Sequence, residues 1–406
     1  MAQAREEGVS AARPRFEFRV EARDPASAAR LGRLVTAHGE IATPVFMPVG
    51  TCGTVKAITF EDLRATGARL ILGNTYHLYL RPGHRLVESL GGLHRFQGWD
   101  GALLTDSAGF QVFSLAGLNK VTEEGVHFRS HLDGSRHYFT PELSMEIQLA
   151  LGADIVMAFD HCLPHGAPAV AVAAAVARTT RWAKRCHAAL GGERVTRGGW
   201  ERVLFGIVQG GIDEAQRRRS AAELGELDLP GYAIGGLAVG EPVAATREMT
   251  ALTAALLPDE RPRYLMGVGF PDDIIESVAR GVDMFDCVLP TRMARNGTVL
   301  TRRGRLVVRN EVYARDDSPL DPDCACPTCR RHSRAYLRHL FKAREILGPV
   351  LATRHNLHWY QELMATLRDA LRDGRFGPTA AALLADWREG ERERREEVGR
   401  RGGAAV

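Results

Sequence analysis

GVDMFDCVLPTRMARNG, residues 281–297, sets one acid, Asp286, in the middle of an apolar run from Met284 to Leu289, with Arg292 and Arg295 just beyond. A carboxylate embedded in an apolar segment is costly unless it has partners or a task. A basic loop directly after it points to a phosphate-bearing molecule. The pairing predicts an acid that does chemistry and cations that position a polyanion over it.

The run MFDCVLP (284–290) is the last of eight such segments, each apolar and ending in a polar or Gly-rich turn. The others are PVFMPVG (44–50), RLILGN (69–74), ALLTD (102–106), DIVMAFD (154–160), LFGIVQGG (204–211), YAIGGLAVG (232–240) and RYLMGVG (263–269). Helical patterns at Pro141–Leu151, Pro168–Leu190, Ile212–Leu224, Pro242–Leu257 and Pro271–Gly281 separate several of them, and prolines at their starts fit helix N-termini. Strands alternating with helices imply a parallel sheet, and near-continuous apolar strands imply burial on both faces. Eight units favour an α/β fold of the (β/α)8 TIM-barrel type over a doubly wound sheet. The absence of a GxGxxG after an early strand weakens a dinucleotide fold further.

The segment Arg15–Gly39 reads as an N-terminal β-hairpin cap, and residues 298–315 as a second hairpin with a Gly turn. The barrel with its cap is expected over 15–315. A cysteine-bearing insert follows over 316–355, a final barrel helix over 356–387 and a charged tail over 388–406. Residues 1–14 and the tail are expected to be disordered.

The 406 residues are 45% hydrophobic and 25% charged, as in an ordinary globular protein, and the net charge of +4 neither requires nor excludes nucleic acid. The N-terminus has no apolar signal core, and the longest small-apolar run, Ala169–Ala177, is too short to span a bilayer. Seven cysteines in such a chain read as reduced thiols or metal ligands. The expected location is the cytoplasm, with no membrane partner.

In a barrel the active site lies at the C-terminal ends of the strands. Asn74, Asp106, Asp160, Gln209, Gly236 and Asp286 all stand at or near such ends. A single Asp there is usually a helix N-cap, and Asp106 before SAGFQ fits a cap as well as a catalytic role. Asp286 fits a cap less, because Pro290 and an Arg-rich loop follow. CACPTC places Cys324, Cys326 and Cys329 as C-x-C-x-x-C, a spacing at which thiolates repel unless a cation neutralises them. Tetrahedral zinc needs a fourth ligand, for which His332, His339, His355 and His358 are candidates, and a closed site of that kind is structural. Beyond it, Arg330, Arg331, Arg334, Arg338, Lys342 and Arg344 spread along a helical run opposite Leu337, Leu340, Phe341 and Ile346. Taken with the basic 292–305 segment, they suggest a polyanion surface. Cys52, Cys186 and Cys287 read as small core residues, Cys162 as a pocket residue and His161 as a core or rim histidine.

Together these residues make the chain resemble the bacterial tRNA-guanine transglycosylases, also called queuine tRNA-ribosyltransferases. The resemblance runs from about residue 16 to 385. It rests on TDSAGFQVFSL (105–115), FRSHLDGS (128–135), FGIVQGG (205–211), YAIGGLAVGE (232–241), GVDMFDCVLPTRMARNG (281–297) and CACPTC with His355. It implies a zinc-containing barrel, a homodimer, that replaces guanine at the wobble position of tRNAs for Asp, Asn, His and Tyr with 7-aminomethyl-7-deazaguanine (preQ1), in queuosine biosynthesis. By resemblance Asp286 is the nucleophile toward C1′ of the ribose, forming a covalent Asp-ribosyl intermediate, and Asp106 is the general acid/base. Asp160, Gln209, Gly236, Phe110, Leu237 and Met266 bind the base, and Arg292 and Arg295 grip the anticodon loop. Cys324, Cys326, Cys329 and His355 hold the Zn2+, which selects among the histidines.

There are two departures. Position 108 is Ala where the family motif has Gly, so a Gly-only backbone there would cost stability or shift Phe110. His161-Cys162-Leu163 stands where bacterial members usually carry Glu-Cys-Thr. Val239 follows the bacterial pattern. Two rivals make different predictions: a silent tRNA-binding subunit of the same fold, against which Asp106 and Asp286 argue, and a small-molecule barrel enzyme with no salt-sensitive tRNA affinity.

Overall fold

The computed structural model describes residues 15–114, 119–191 and 199–402, with side chains to residue 396. Residues 1–14 and the last four of the tail fall outside this description. Eight parallel strands close into a barrel: β1 (Val45–Gly50), β2 (Leu70–Gly73), β3 (Ala102–Thr105), β4 (Ile155–Met157), β5 (Val203–Val208), β6 (Gly231–Ile234), β7 (Arg263–Leu265) and β8 (Met284–Cys287). These are the eight apolar runs. β8 pairs with β1 from Met284 opposite Val45 to Cys287 opposite Pro48, and this pairing closes the ring.

Alternation along each strand explains why the runs look uniformly apolar. Val45, Met47, Val49, Leu72, Leu104, Phe205, Ile207, Tyr264 and Met284 pack together inside the barrel. Their neighbours Phe46, Ile71, Leu103, Leu204, Val208, Leu265 and Phe285 pack outward under the helices. Both faces are buried, so the period of two is hidden in the sequence. Helices Pro141–Leu151, Ala169–Ala189, Glu214–Gly225, Val243–Leu256 and Pro271–Ala279 fill the outer layer. Pro141 and Pro271 lie in first turns, where a missing N–H costs nothing.

Several local expectations change. The N-terminal cap is a three-stranded antiparallel sheet, Glu17–Arg23, Arg30–Thr36 and Gly39–Thr43, rather than a hairpin. Residues 289–295 form a short helix, not a loop, with Pro290 in its first turn. A second three-stranded sheet, Asn119–Val121, Val126–Arg129 and Arg136–Phe139, lies between β3 and β4. The last barrel helix starts earlier, as Leu347–Arg372, so His355 belongs to it and not to the insert. Most of the charged tail is also helical, within Phe376–Gly402, because Glu391 turns inward and receives Arg305 from the 298–307 hairpin at 2.9 Å through Nε. Ile346 lies past the amphipathic helix Arg334–Ala343 and is 81% exposed, so it does not share that helix's buried side. Cys52 is exposed rather than a core residue, while Cys186 and Cys287 are buried. Among the described residues no helix is long and apolar enough to cross a membrane.

At the N-terminal end of the barrel the cap is fastened by a buried ion pair. Arg30 meets Asp283 with Nε–Oδ1 at 2.9 Å and Nη2–Oδ2 at 2.5 Å, and Asp283 also accepts the Arg263 N–H at 2.7 Å. Removing one partner of such a pair leaves an uncompensated buried charge. Arg30→Met is therefore expected to cost about 3–5 kcal/mol. Thermal unfolding checks this: the midpoint should fall by many degrees, and an unchanged midpoint would refute the assignment of Arg30 as the clamp.

Candidate active site

Three carboxylates and an amide meet at the C-terminal mouth of the barrel. Asp106 directly follows β3 and is buried. Its Oδ2 accepts Asn74 Nδ2 at 2.6 Å from the end of β2, and its Oδ1 accepts the Thr75 N–H at 2.8 Å. The Ala108 N–H reaches the same Oδ1 at 3.2 Å, so the capping turn is present as well. Burial nevertheless dominates, helped by the nearby Asp286 charge, and pushes the Asp106 carboxyl up to about 7.

Asp286 shares the inward parity of Met284 on β8 and stands above it at the mouth, partly open. Its Oδ1 accepts Tyr264 Oη at 2.6 Å, from β7, and the Gly267 N–H at 2.8 Å. Burial raises its pKa too, while these two donors pull it back. Among the described residues no arginine or lysine is paired with it; its partners are Tyr264 and Gly267.

Asp160, after β4, is held by Ser107 Oγ at 2.8 Å and Gln209 Nε2 at 2.7 Å. Burial raises its pKa against those donors. Gln209 continues the inward parity of Phe205 and Ile207 beyond β5. It is confined by Gly236, which has φ +64° and leaves only 2.2 Å between Gln209 Oε1 and any Cβ at that position. Leu237 is buried and Met266 packs on the inner barrel cluster. Phe110 is half exposed on the short helix Gly109–Ser114. A cavity beside this group is lined by His161, His165, Val176, Gln209, Gly236, Val239 and Glu241. Arg292 and Arg295 are exposed on the Leu289–Arg295 helix that follows Asp286.

The structure brings together Asp106, Asp160, Gln209, Gly236 and Asp286 as the sequence predicts. It adds Thr75, Ser107, Tyr264 and the Gly267 amide as their donors, which the sequence reading passed over. Ser107 sits inside the TDSAGFQ motif. Tyr264 had a signal too: a hydroxyl-bearing residue on an otherwise apolar inner face needs a partner.

Away from the mouth, Cys324, Cys326, Cys329 and His355 form one buried group. His355 Nδ1 lies 3.7, 3.4 and 3.3 Å from their sulfurs in that order. A tetrahedron with metal–sulfur bonds of about 2.3 Å and a metal–nitrogen bond of about 2.0 Å has S–N edges of roughly 3.6 Å, so the donor set fits such an ion. His355 Nε2 donates to the Leu300 carbonyl at 2.7 Å, which leaves Nδ1 free to ligate. Of the basic run nearby, Arg334 pairs with Asp316 at 3.0 Å and Arg338 with Glu311, so these two brace the insert. Arg330, Arg331, Lys342 and Arg344 remain exposed.

Neutral donors around the acids at a barrel mouth, with a buried Cys3His group that could hold a metal ion set apart from them, define a barrel enzyme. Residues 24–389 match the family model described as "Queuine tRNA-ribosyltransferase". A relative of that name from Pelotomaculum thermopropionicum is 60% identical over 359 residues, covering 88% of this chain and 95% of its own length. One from Desulforamulus reducens is 57% identical over 360 residues (89% and 95%), and one from Symbiobacterium thermophilum 56% identical over 382 residues (94% of each). The chain belongs to the queuine tRNA-ribosyltransferase family, the tRNA-guanine transglycosylases.

The thiols test the metal assignment directly. The purified protein is expected to hold one zinc per chain by elemental analysis, and Cys326→Ser to lose it together with thermal stability. A full metal complement in that variant would reject the four-ligand set.

Proposed function

We propose that this chain exchanges guanine at the wobble position of tRNAs for Asp, Asn, His and Tyr for preQ1, through a covalent bond between Asp286 and the ribose. The observation that carries the reading is the pair of carboxylates at the mouth, Asp106 and Asp286, each held by neutral donors and, among the described residues, by no cation. Breaking an N-glycosidic bond builds positive charge at C1′, and a carboxylate there can capture it. The Tyr264 hydroxyl and Gly267 N–H orient one oxygen of Asp286 and leave Oδ2 for C1′. As that bond forms, the electron pair of the C1′–N9 bond leaves with guanine. Asp106 gives its proton to the departing base and takes one from the incoming base, so its net state is restored.

Asp160 suits guanine because N1–H and the exocyclic amine are adjacent donors. Gln209 and Gly236 complete the base site, with Phe110, Leu237 and Met266 as its walls. A wobble base must be flipped out of the anticodon loop to reach this depth, and Arg292 and Arg295 are placed to hold the flanking phosphates and bases. Zinc at Cys324, Cys326, Cys329 and His355, when bound, supplies structural cross-linking only. A homodimer accords with the resemblance, and sedimentation checks it.

Asp286→Asn should abolish the denaturant-resistant tRNA adduct and radiolabelled guanine exchange, while tRNA still binds. Exchange at the wild-type rate in that variant would sink the mechanism.

The pH dependence follows from Asp106. A carboxyl pushed up to about 7 is protonated below that pH and loses its proton as pH rises through it. Expulsion of guanine needs that proton. The single-turnover rate of adduct formation should therefore fall roughly tenfold per unit on the alkaline side. Asp106→Asn should be slow and flat across the same range. An alkaline limb that survives in Asp106→Asn would assign it to another group.

A further inference from the structure

Arg217 is fully buried on the Glu214–Gly225 helix behind the base site. A buried guanidinium normally has a carboxylate partner. The hydrogen bonds of Arg217 go to backbone carbonyls instead. Nε donates to Gly211 O at 2.8 Å, Nη2 to Gly235 O at 2.9 Å and to Gly236 O at 3.4 Å, and Nη1 to Val208 O at 3.4 Å. The Val208 carbonyl ends β5, and the others belong to the two turns that follow β5 and β6, which carry Gln209 and Gly236. One planar cation thus ties both halves of the base-reading loop together. The same helix holds Gln209 a second time, since Ser220 Oγ accepts the Gln209 N–H at 3.0 Å.

The Gly235 carbonyl and the Gly236 N–H are the two ends of one peptide unit. A cation on the carbonyl end withdraws electron density and makes the N–H end a stronger donor. Gly236 and Gln209 both line the cavity beside Asp160, where a base would enter. Burial draws the Arg217 pKa down to about 10, which leaves the group charged at neutral pH.

We propose that Arg217 is a positioning residue of the base site: it fixes and polarises the Gly235–Gly236 peptide, so that the Gly236 N–H binds the 6-carbonyl of the purine. The inference rests on the base-exchange reading. As the C1′–N9 bond breaks, the pair left on the base is partly delocalised to that carbonyl oxygen, and the polarised peptide stabilises it until Asp106 delivers the proton.

The test compares guanine with 6-thioguanine, which keeps N1–H and the 2-amine but offers a weakly accepting thione. Binding of each free base to the full-length protein is measured by calorimetry for wild type, Arg217→Met and Arg217→Lys. Arg217→Met should weaken guanine binding about tenfold or more and change 6-thioguanine binding by less than about threefold, so the preference shrinks. Arg217→Lys keeps the charge and should retain most of the preference, and it decides the matter if the Met variant does not fold. Equal losses for the two bases, or no loss for guanine, would overturn the proposal and leave Arg217 a scaffold residue. Wild-type protein that binds neither base overturns the base-exchange reading itself, a result distinct from either of these.

Discussion

The structure turns on keeping carboxylates dry at the barrel mouth without giving them a cation. The two ends of β8 show the contrast. Asp283, just before the strand, is clamped bidentately by Arg30 and serves to fasten the cap. Asp286, near the other end, receives a phenol and a peptide N–H and, among the described residues, no cation. Pairing it with arginine would hold it ionised, but the ion pair would also quench the attack on an electrophilic carbon proposed for it. Neutral donors offset part of the desolvation and leave the acid–base state adjustable. Asp106 and Asp160 follow the same rule, with Asn74, Thr75, Ser107 and Gln209 in place of cations.

That rule places the positive charges outside the mouth, where a polyanion would meet them. Arg292 and Arg295 begin only six residues after Asp286, on a helix whose position is fixed from behind. Asn356 Nδ2 donates to Pro290 O at 3.0 Å, and its Oδ1 accepts the Leu300 N–H at 3.0 Å. The adjacent His355 binds Leu300 O and faces the three thiols. One helix, Leu347–Arg372, thus links the Cys3His group to the segment that follows Asp286 and carries the arginines.

The barrel was legible because parallel strands buried on both faces leave eight apolar runs that nothing else in a chain of this length imitates. The acids were legible because each interrupts or ends such a run. The rest was hidden for physical reasons. The Leu289–Arg295 helix is too short to show a period, and Pro290 reads as a breaker until its place in the first turn is known. Which carboxylate Thr75, Ser107 and Tyr264 each serve was not legible, because it depends on neighbouring strands far apart in sequence. Nothing in the sequence sets Arg217 apart from Arg218 and Arg219; that it alone of the three is buried is a property of the helix's orientation. The helical tail was hidden because Glu391 finds its partner on a hairpin 86 residues earlier.

The two departures from the family pattern can be weighed in the same terms. Ala108 has φ +70°, a left-handed backbone that costs a residue with a Cβ about 1 kcal/mol. The turn keeps that conformation, because it aims the Ala108 N–H at Asp106 and lets Gly109 pass beside Asp160, where a Cβ would come within 2.5 Å of its Oδ1. The strain is thus borne by the residue between two acids, and the backbone path, not the side chain, is what the site requires. His161 is the larger change. Arg178 donates to its Nδ1 at 3.0 Å, and burial, reinforced by that arginine, pulls its pKa down to about 4. The imidazole is therefore neutral at physiological pH. Where a glutamate would add a second negative charge beside Asp160, this chain adds none. In the proposed base exchange, Asp160 would meet the donor edge of the base without a competing anion at the adjacent position.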